Sequence, residues 1–198
     1  MLRKLDIINI DGMPGIGVSS QVSLLINHFK DLNKYIGTID NNAESIDNFY
    51  KEANERLIKD PNMVILGDGS IAQSIQIDLQ NGLKKRDFED KYGEIVRNYE
   101  KMNHLYGVAN ILIIMNDIEE CKSRIERRDR LLKETSDTID FEKEKVIFEG
   151  LKKFDSYVFT INIKFYTLEV NKYDTILDIH YKILKLLKDN FEIKKPSV

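Results

Sequence analysis

Asp6-Ile7-Ile8-Asn9-Ile10-Asp11-Gly12-Met13-Pro14-Gly15-Ile16-Gly17-Val18-Ser19-Ser20 joins an apolar run to a glycine-rich turn and then to a helical pattern. Ile7 to Ile10 reads as a buried strand, and Ser19 to Leu32 as the helix it feeds, with Val22, Leu24, Leu25, Ile26 and Phe29 on its apolar face. Between them Gly12, Gly15, Gly17, Ser19 and Ser20 keep the spacing G-x-x-x-x-G-K-[ST], with Val18 in the lysine's place. Glycines let successive backbone N–H groups turn inward around a phosphate, and a helix N-terminus adds partial positive charge. The lysine does different work: it reaches the terminal phosphates and neutralises charge during transfer. The stretch therefore predicts a loop that holds a nucleotide but is poorly equipped to react it.

Outward from this turn, short apolar runs alternate with helical patterns. Met63 to Leu66, Ile111 to Met115 and Phe165 to Val170 read as further strands. Ser45–Lys59, Ile71–Leu83, Phe88–Leu105, Ile118–Leu132, Asp140–Lys153 and Thr175–Lys188 read as helices, and Gly37 to Asn42 as loop. The last helix carries an apolar stripe through Ile176, Ile179, Ile183, Leu184 and Leu187. This alternation predicts an α/β protein with a parallel sheet covered on both faces. Ligands sit at the carboxyl ends of such strands, where Gly12, Asp68 and Asn116 fall.

Composition narrows the class. At 198 residues and 42% hydrophobic, the chain suffices for one substantial core, and one domain spanning residues 1–198 is expected. The net charge of -3, with 32% charged residues of both signs interspersed, points away from nucleic acid as a partner. A single cysteine, Cys121, rules out an intramolecular disulfide framework. No apolar run reaches membrane-spanning length and the start does not read as a secretory signal, so a cytoplasmic protein is expected.

The order of parts resembles the thymidylate kinase family of P-loop nucleoside monophosphate kinases over nearly the whole chain. Ile10 to Gln21 is similar to the family's I-E-G-x-D-G-x-G-K-S-T-Q. Val64-Ile65-Leu66-Gly67-Asp68-Gly69-Ser70 stands in the place of its V-x-x-D-R-Y, and Ile111–Met115 with Arg124, Arg127, Arg128 and Arg130 resembles the strand, helix and start of its mobile LID, here around 124–140. Phe141 to Phe154 resembles the helix after the LID. The resemblance implies a three-layer P-loop NTPase fold, ATP and Mg²⁺ as cofactors, and phosphorylation of dTMP to dTDP. It implies that Gly12, Gly15, Gly17, Val18, Ser19 and Ser20 cradle the donor phosphates, that Ser19 and Asp68 serve the metal, and that Arg124, Arg127, Arg128 and Arg130 act with Asp68 in catalysis. The family is commonly homodimeric, which makes a second copy an expected partner.

The reactive positions depart from that pattern. Val18 replaces the lysine, Pro14 an aspartate, and Gly69 the arginine of D-R-Y, while Thr38-Ile39-Asp40-Asn41 stands where R-E-P is common. A single charge-assisted hydrogen bond to the transition state is worth roughly 3 to 4 kcal/mol, so the absence of two without replacement slows transfer about 10⁴–10⁶-fold. Two functions are therefore expected: a kinase slowed to this degree, or a catalytically inactive nucleotide-binding or regulatory paralogue. A kinase for a nucleoside or another monophosphate is a third. The arginines also have a plainer reading as a solvated face paired with Glu119, Glu120 and Glu126. Arg56 offers a weak contact to substrate, and Tyr92, Arg97 and Tyr99 an acceptor lining or ordinary packing. Cys121 reads as a buried small hydrophobe and the three histidines as unrelated to a metal.

Overall fold

The computed structural model describes residues 2–30, 32–38, 43–132, 139–152 and 163–193. Five parallel strands form one sheet in the order β2-β3-β1-β4-β5: β1 (Arg3–Gly12), β2 (Lys34–Thr38), β3 (Val64–Asp68), β4 (Gly107–Met115) and β5 (Phe165–Val170). A two-residue β6 (Phe191–Glu192) pairs with the start of β1. The helices are α1 (Val18–His28), α2 (Ala43–Lys59), α3 (Ile71–Gln80), α4 (Lys85–Leu105), α5 (Ile118–Leu132), α6 (Phe141–Lys152) and α7 (Ile176–Asn190). All nine residues of β4 are buried, which is why a continuous apolar run and not an alternating one marks it. The expected α/β architecture, a parallel sheet flanked by helices, is the one observed.

Strand pleating sends alternate side chains of β1 to opposite faces. Ile8 and Ile10 pack with Val22 and Leu25 of α1 and with Ile179, Ile183 and Leu187 of α7. Ile7 faces the other core, which takes Tyr50 from α2, Ile75 from α3, Tyr99 from α4 and Phe148 from α6. Burying each such aliphatic side chain stabilises the fold by roughly 1.5 to 3 kcal/mol relative to exposure. The chain leaves β1 toward β2, returns to β3, then crosses to β4 on the opposite side of β1. That reversal opens a crevice at the carboxyl ends of β3, β1 and β4, where ligands bind in open parallel sheets.

Three readings need correction. Gly37 and Thr38 belong to the edge strand β2, not to a loop. A Cβ on Gly37 would lie within 2.3 Å of the Phe49 ring, so this glycine serves close packing of β2 on α2. Helix α1 ends at His28, and Phe29 is its cap, with its N–H on the Leu25 carbonyl. Ile176 is 46% exposed and stands outside the buried stripe of α7. The capping box of Thr175 and Asp178 starts that helix. The R-E-P counterpart at 39–41 and the LID beyond 132, up to 138, lie outside the described residues, as do Lys153 and Phe154. Among the described residues no helix is long and apolar enough to cross a membrane.

Candidate functional site

The turn after β1 keeps the form that its glycines imply. Gly15 and Gly17 adopt φ of +84° and +91°, the left-handed region that favours glycine. Ile16 N–H closes the turn on the Met13 carbonyl at 3.1 Å, and Gln21 N–H bonds to the Gly17 carbonyl at 3.0 Å. Met13 is buried in the core on the α2 face and Ile16 in the core beneath α1, so these apolar side chains anchor the loop to the sheet. The N–H groups of Gly15, Gly17, Val18, Ser19 and Ser20 make no hydrogen bond among the described residues, and the start of α1 has no side-chain cap. Uncapped amides at a helix start are donors ready for an anion. Val18 packs partly into the core beneath α1, its Cγ2 turned toward Gly12, where a Cβ would lie 2.7 Å away.

Across the crevice, Ser19 Oγ donates to Asp68 Oδ2 at 3.2 Å, joining the start of α1 to the end of β3. Both are hard oxygen donors of the kind Mg²⁺ takes. Among the described residues no group of three or more histidine, cysteine or carboxylate side chains forms a metal cage. A magnesium ion would thus rely on phosphate oxygens and water for its other ligands, its usual habit. The next residue, Gly69, has φ of +106° and its N–H bonds to the Ile10 carbonyl at 2.9 Å. An arginine would be strained at that backbone, so its absence is built into the turn.

Of the four arginines on α5, Arg124, Arg127 and Arg128 line a cleft of about 540 Å³ together with Leu131 and the segment Lys172–Ile176. Arg124 is the most buried of these three. It pairs with Glu120 at 2.9 Å and donates to the Lys172 and Asp174 carbonyls at 3.3 and 3.1 Å, tying α5 to the β5–α7 connection. Arg127 also pairs with Glu120 at 2.9 Å and Arg128 with Asp129 at 2.9 Å. Arg130 does not line the cleft; its Nε bonds to the Glu126 carbonyl at 3.2 Å. The cleft joins the loop at two points. Gln21 Nε2 donates to the Ile176 carbonyl at 2.8 Å, and a Cβ on Gly15 would meet the Cys121 carbonyl oxygen at 2.5 Å. Because Arg124 holds two carbonyls, Arg124→Ala is expected to cost about 1 to 3 kcal/mol by urea unfolding. Arg127→Ala, at an exposed pair, is expected to cost under about 1 kcal/mol.

Sequence reasoning missed Asp11. It is 1% exposed at the end of β1, and neither carboxylate oxygen makes a hydrogen bond. Burial pushes its carboxyl up to about 7; Ser70's hydroxyl and amide ease the charge without a well-formed bond, and Asp68 adds to the upward push. Beneath it lies a buried polar row: Asn9 Nδ2 donates to Asn110 Oδ1 at 3.0 Å and to the Tyr50 hydroxyl at 3.4 Å, and Asn110 Nδ2 donates to the Tyr99 hydroxyl at 2.9 Å. The Ser70 and Ser74 hydroxyls are buried on the same side without partners. The signal was available: Asn9 and Asp11 interrupt an otherwise apolar strand at every second position.

The weaker candidates fall elsewhere. Tyr92 donates to Asp78 Oδ2 at 2.6 Å and Arg97 pairs with Glu89 at 2.7 Å, so of that trio only Tyr99 joins the buried row. Arg56 stacks on the Tyr35 ring at 4.0 Å and pairs with Glu52. Cys121 is buried, as expected. His28 and His180 meet edge-on at 6.2 Å, at the far end of α1 from the loop.

The chain matches no protein-family model. None of the curated proteins compared with it matches either. Among solved structures it aligns with a deoxyadenosine kinase from M. mycoides with bound dCTP, at 17% identity and a TM-score of 0.48, over 92% of this chain and 99% of that one. A likeness of this size does not speak to substrate.

Proposed function

We propose that the crevice is the donor site of a nucleoside or nucleoside monophosphate kinase, taking ATP with Mg²⁺ in the cytoplasm and transferring slowly. The observation that carries this is the Ser19–Asp68 contact set beside a loop of unengaged amides. Gly12 to Ser20 receive the donor phosphates, and Ser19 and Asp68 hold the ion, which supplies charge neutralisation when bound. The cleft between α5 and the β5–α7 connection takes the base, with Arg127 and Arg128 in its lining. dTMP is the acceptor that the sequence resemblance implies, and a second copy of the chain its implied partner.

The test is a thermal shift. ATP–Mg²⁺ is expected to raise the melting point, because a ligand bound only by the native state must do so. Ser19→Ala is expected to abolish the Mg²⁺-dependent part of that rise. No rise with ATP, ADP or GTP at millimolar concentration would remove the reading. Val18 is the first residue of α1 and stands beside Gly12 of the loop, in the motif's lysine position. Val18→Lys is thus expected to raise ADP release with an acceptor by about 10²-fold or more. Gly69→Arg is expected to give no rescue, since its backbone opposes a side chain.

A second reading, a non-catalytic nucleotide-binding or regulatory subunit, is favoured by the same two positions, Val18 and Gly69. ATP–Mg²⁺ binding together with silence of both wild type and Val18→Lys would select it.

A further inference from the structure

Asp11 and Asp68 end neighbouring strands at the same edge of the sheet, yet they serve different faces. Ile10 is in register with Asp68, and Asp68 meets Ser19 on the α1 side. Asp11 alternates with Ile10 and shares the opposite side with Asn9, whose amide reaches Tyr50 of α2. The two carboxylates therefore stand on opposite faces of the sheet at its carboxyl end, where ligands bind in open parallel sheets. From α5, Arg124, Arg127 and Arg128 line the cleft that the donor reading fills. On the Asp11 side the described buried polar groups that accompany it, Asn9, Tyr50, Ser70, Ser74, Tyr99 and Asn110, are neutral. Among the described residues no cation contributes to easing the charge of Asp11.

We propose that Asp11 is the acceptor-side catalytic base, and that the acceptor it meets is the hydroxyl of an uncharged nucleoside and not a phosphate. The proposal rests on the donor reading above and names its second substrate. A carboxylate kept nine-tenths buried with both oxygens unpaired costs stability unless a ligand donates to it. A hydroxyl donates; a phosphate dianion brings only acceptors and additional negative charge to a buried carboxyl that no described cation relieves. Nor does a phosphate acceptor need a base, since its attacking oxygen is already ionised. In the proposed step the hydroxyl oxygen bonds to the terminal phosphorus of ATP as that phosphorus separates from its bridging oxygen. The bridging oxygen keeps the electron pair and leaves on ADP, and the hydroxyl proton passes to Asp11 and then to solvent.

The test uses the full chain, a panel of thymidine, deoxyadenosine, deoxyguanosine, deoxycytidine and adenosine, and their 5′-monophosphates. Calorimetry is expected to show at least one nucleoside bound at least tenfold tighter than its own monophosphate. Single-turnover transfer from labelled ATP to that nucleoside, followed in wild type and in Val18→Lys, is expected to fall at least 100-fold when Asp11→Asn is added. The ATP–Mg²⁺ thermal shift is expected to persist in Asp11→Asn, which shows that the fold and the donor site remain. Monophosphates binding as well as their nucleosides, no nucleoside binding at all, no transfer in either background, or transfer unaffected by Asp11→Asn would each overturn the proposal. Failure of the donor reading has a separate sign, the lack of any ATP–Mg²⁺ shift in wild type.

Discussion

Asp11→Asn is expected to make the protein more stable, by an amount that grows with pH. The Asp11 carboxyl is raised by burial from 3.8 to about 7 in the folded chain. Between these values the native protein holds a proton that the unfolded chain has released, so the unfolded state binds fewer protons and stability falls as pH rises. Asp11's favourable contribution is thus intact below about pH 4 and lost as pH climbs through 7. Asparagine keeps the shape and does not ionise. The variant and the wild type are expected to unfold at similar urea concentrations near pH 4. The variant is expected to lead by roughly 2 to 4 kcal/mol at pH 8, the upper figure being about three pKa units at 1.36 kcal/mol each. Parallel curves for the two chains from pH 4 to 8 would show that Asp11 is not held neutral. A gain in stability from removing a buried group is what a site residue gives when it is kept for function.

The second large effect separates two glycines that look equivalent in the motif. Gly15→Ala is expected to cost about 3 kcal/mol or more and to eliminate the ATP–Mg²⁺ thermal shift. Its Cβ would sit 2.5 Å from the Cys121 carbonyl oxygen and 3.2 Å from Ile125 Cγ1, and φ there is +84°. The obstacle is the backbone of α5, which cannot turn aside as a side chain would. Gly17→Ala meets nothing closer than Ser20 at 3.9 Å, so only the cost of its φ of +91° remains, roughly 1 to 2 kcal/mol. Urea unfolding of both variants, with and without ATP–Mg²⁺, makes the comparison. Equal destabilisation at the two positions would mean that the close approach of Gly15 to α5 is unimportant.

That contrast shows where reading along the chain stops. Local pattern located β5 at Phe165–Val170 and α5 at Ile118–Leu132, because an apolar run and a helical charge period are properties of neighbouring residues. It also located the loop, since Gly15 and Gly17 are needed for dihedral angles that belong to single residues. It did not locate β2. There Gly37 is set by the ring of Phe49, a contact between a strand and a helix that sequence spacing does not encode.

The candidate site divides in the same way. Ser19 and Asp68 were marked by motif order, and the fold brings them to 3.2 Å. Arg124, Arg127, Arg128 and Arg130 were marked as one group, but the fold sorts them: Arg124 is tied to the carbonyls of Lys172 and Asp174, and Arg130 is left off the cleft. The state of Asp11 depends wholly on what surrounds it. Backbone geometry and hydrophobic period act over a few residues and are written in sequence. Desolvation, unpaired hydrogen-bonding groups and steric exclusion arise only between segments far apart in the chain, and the tertiary structure alone decides them.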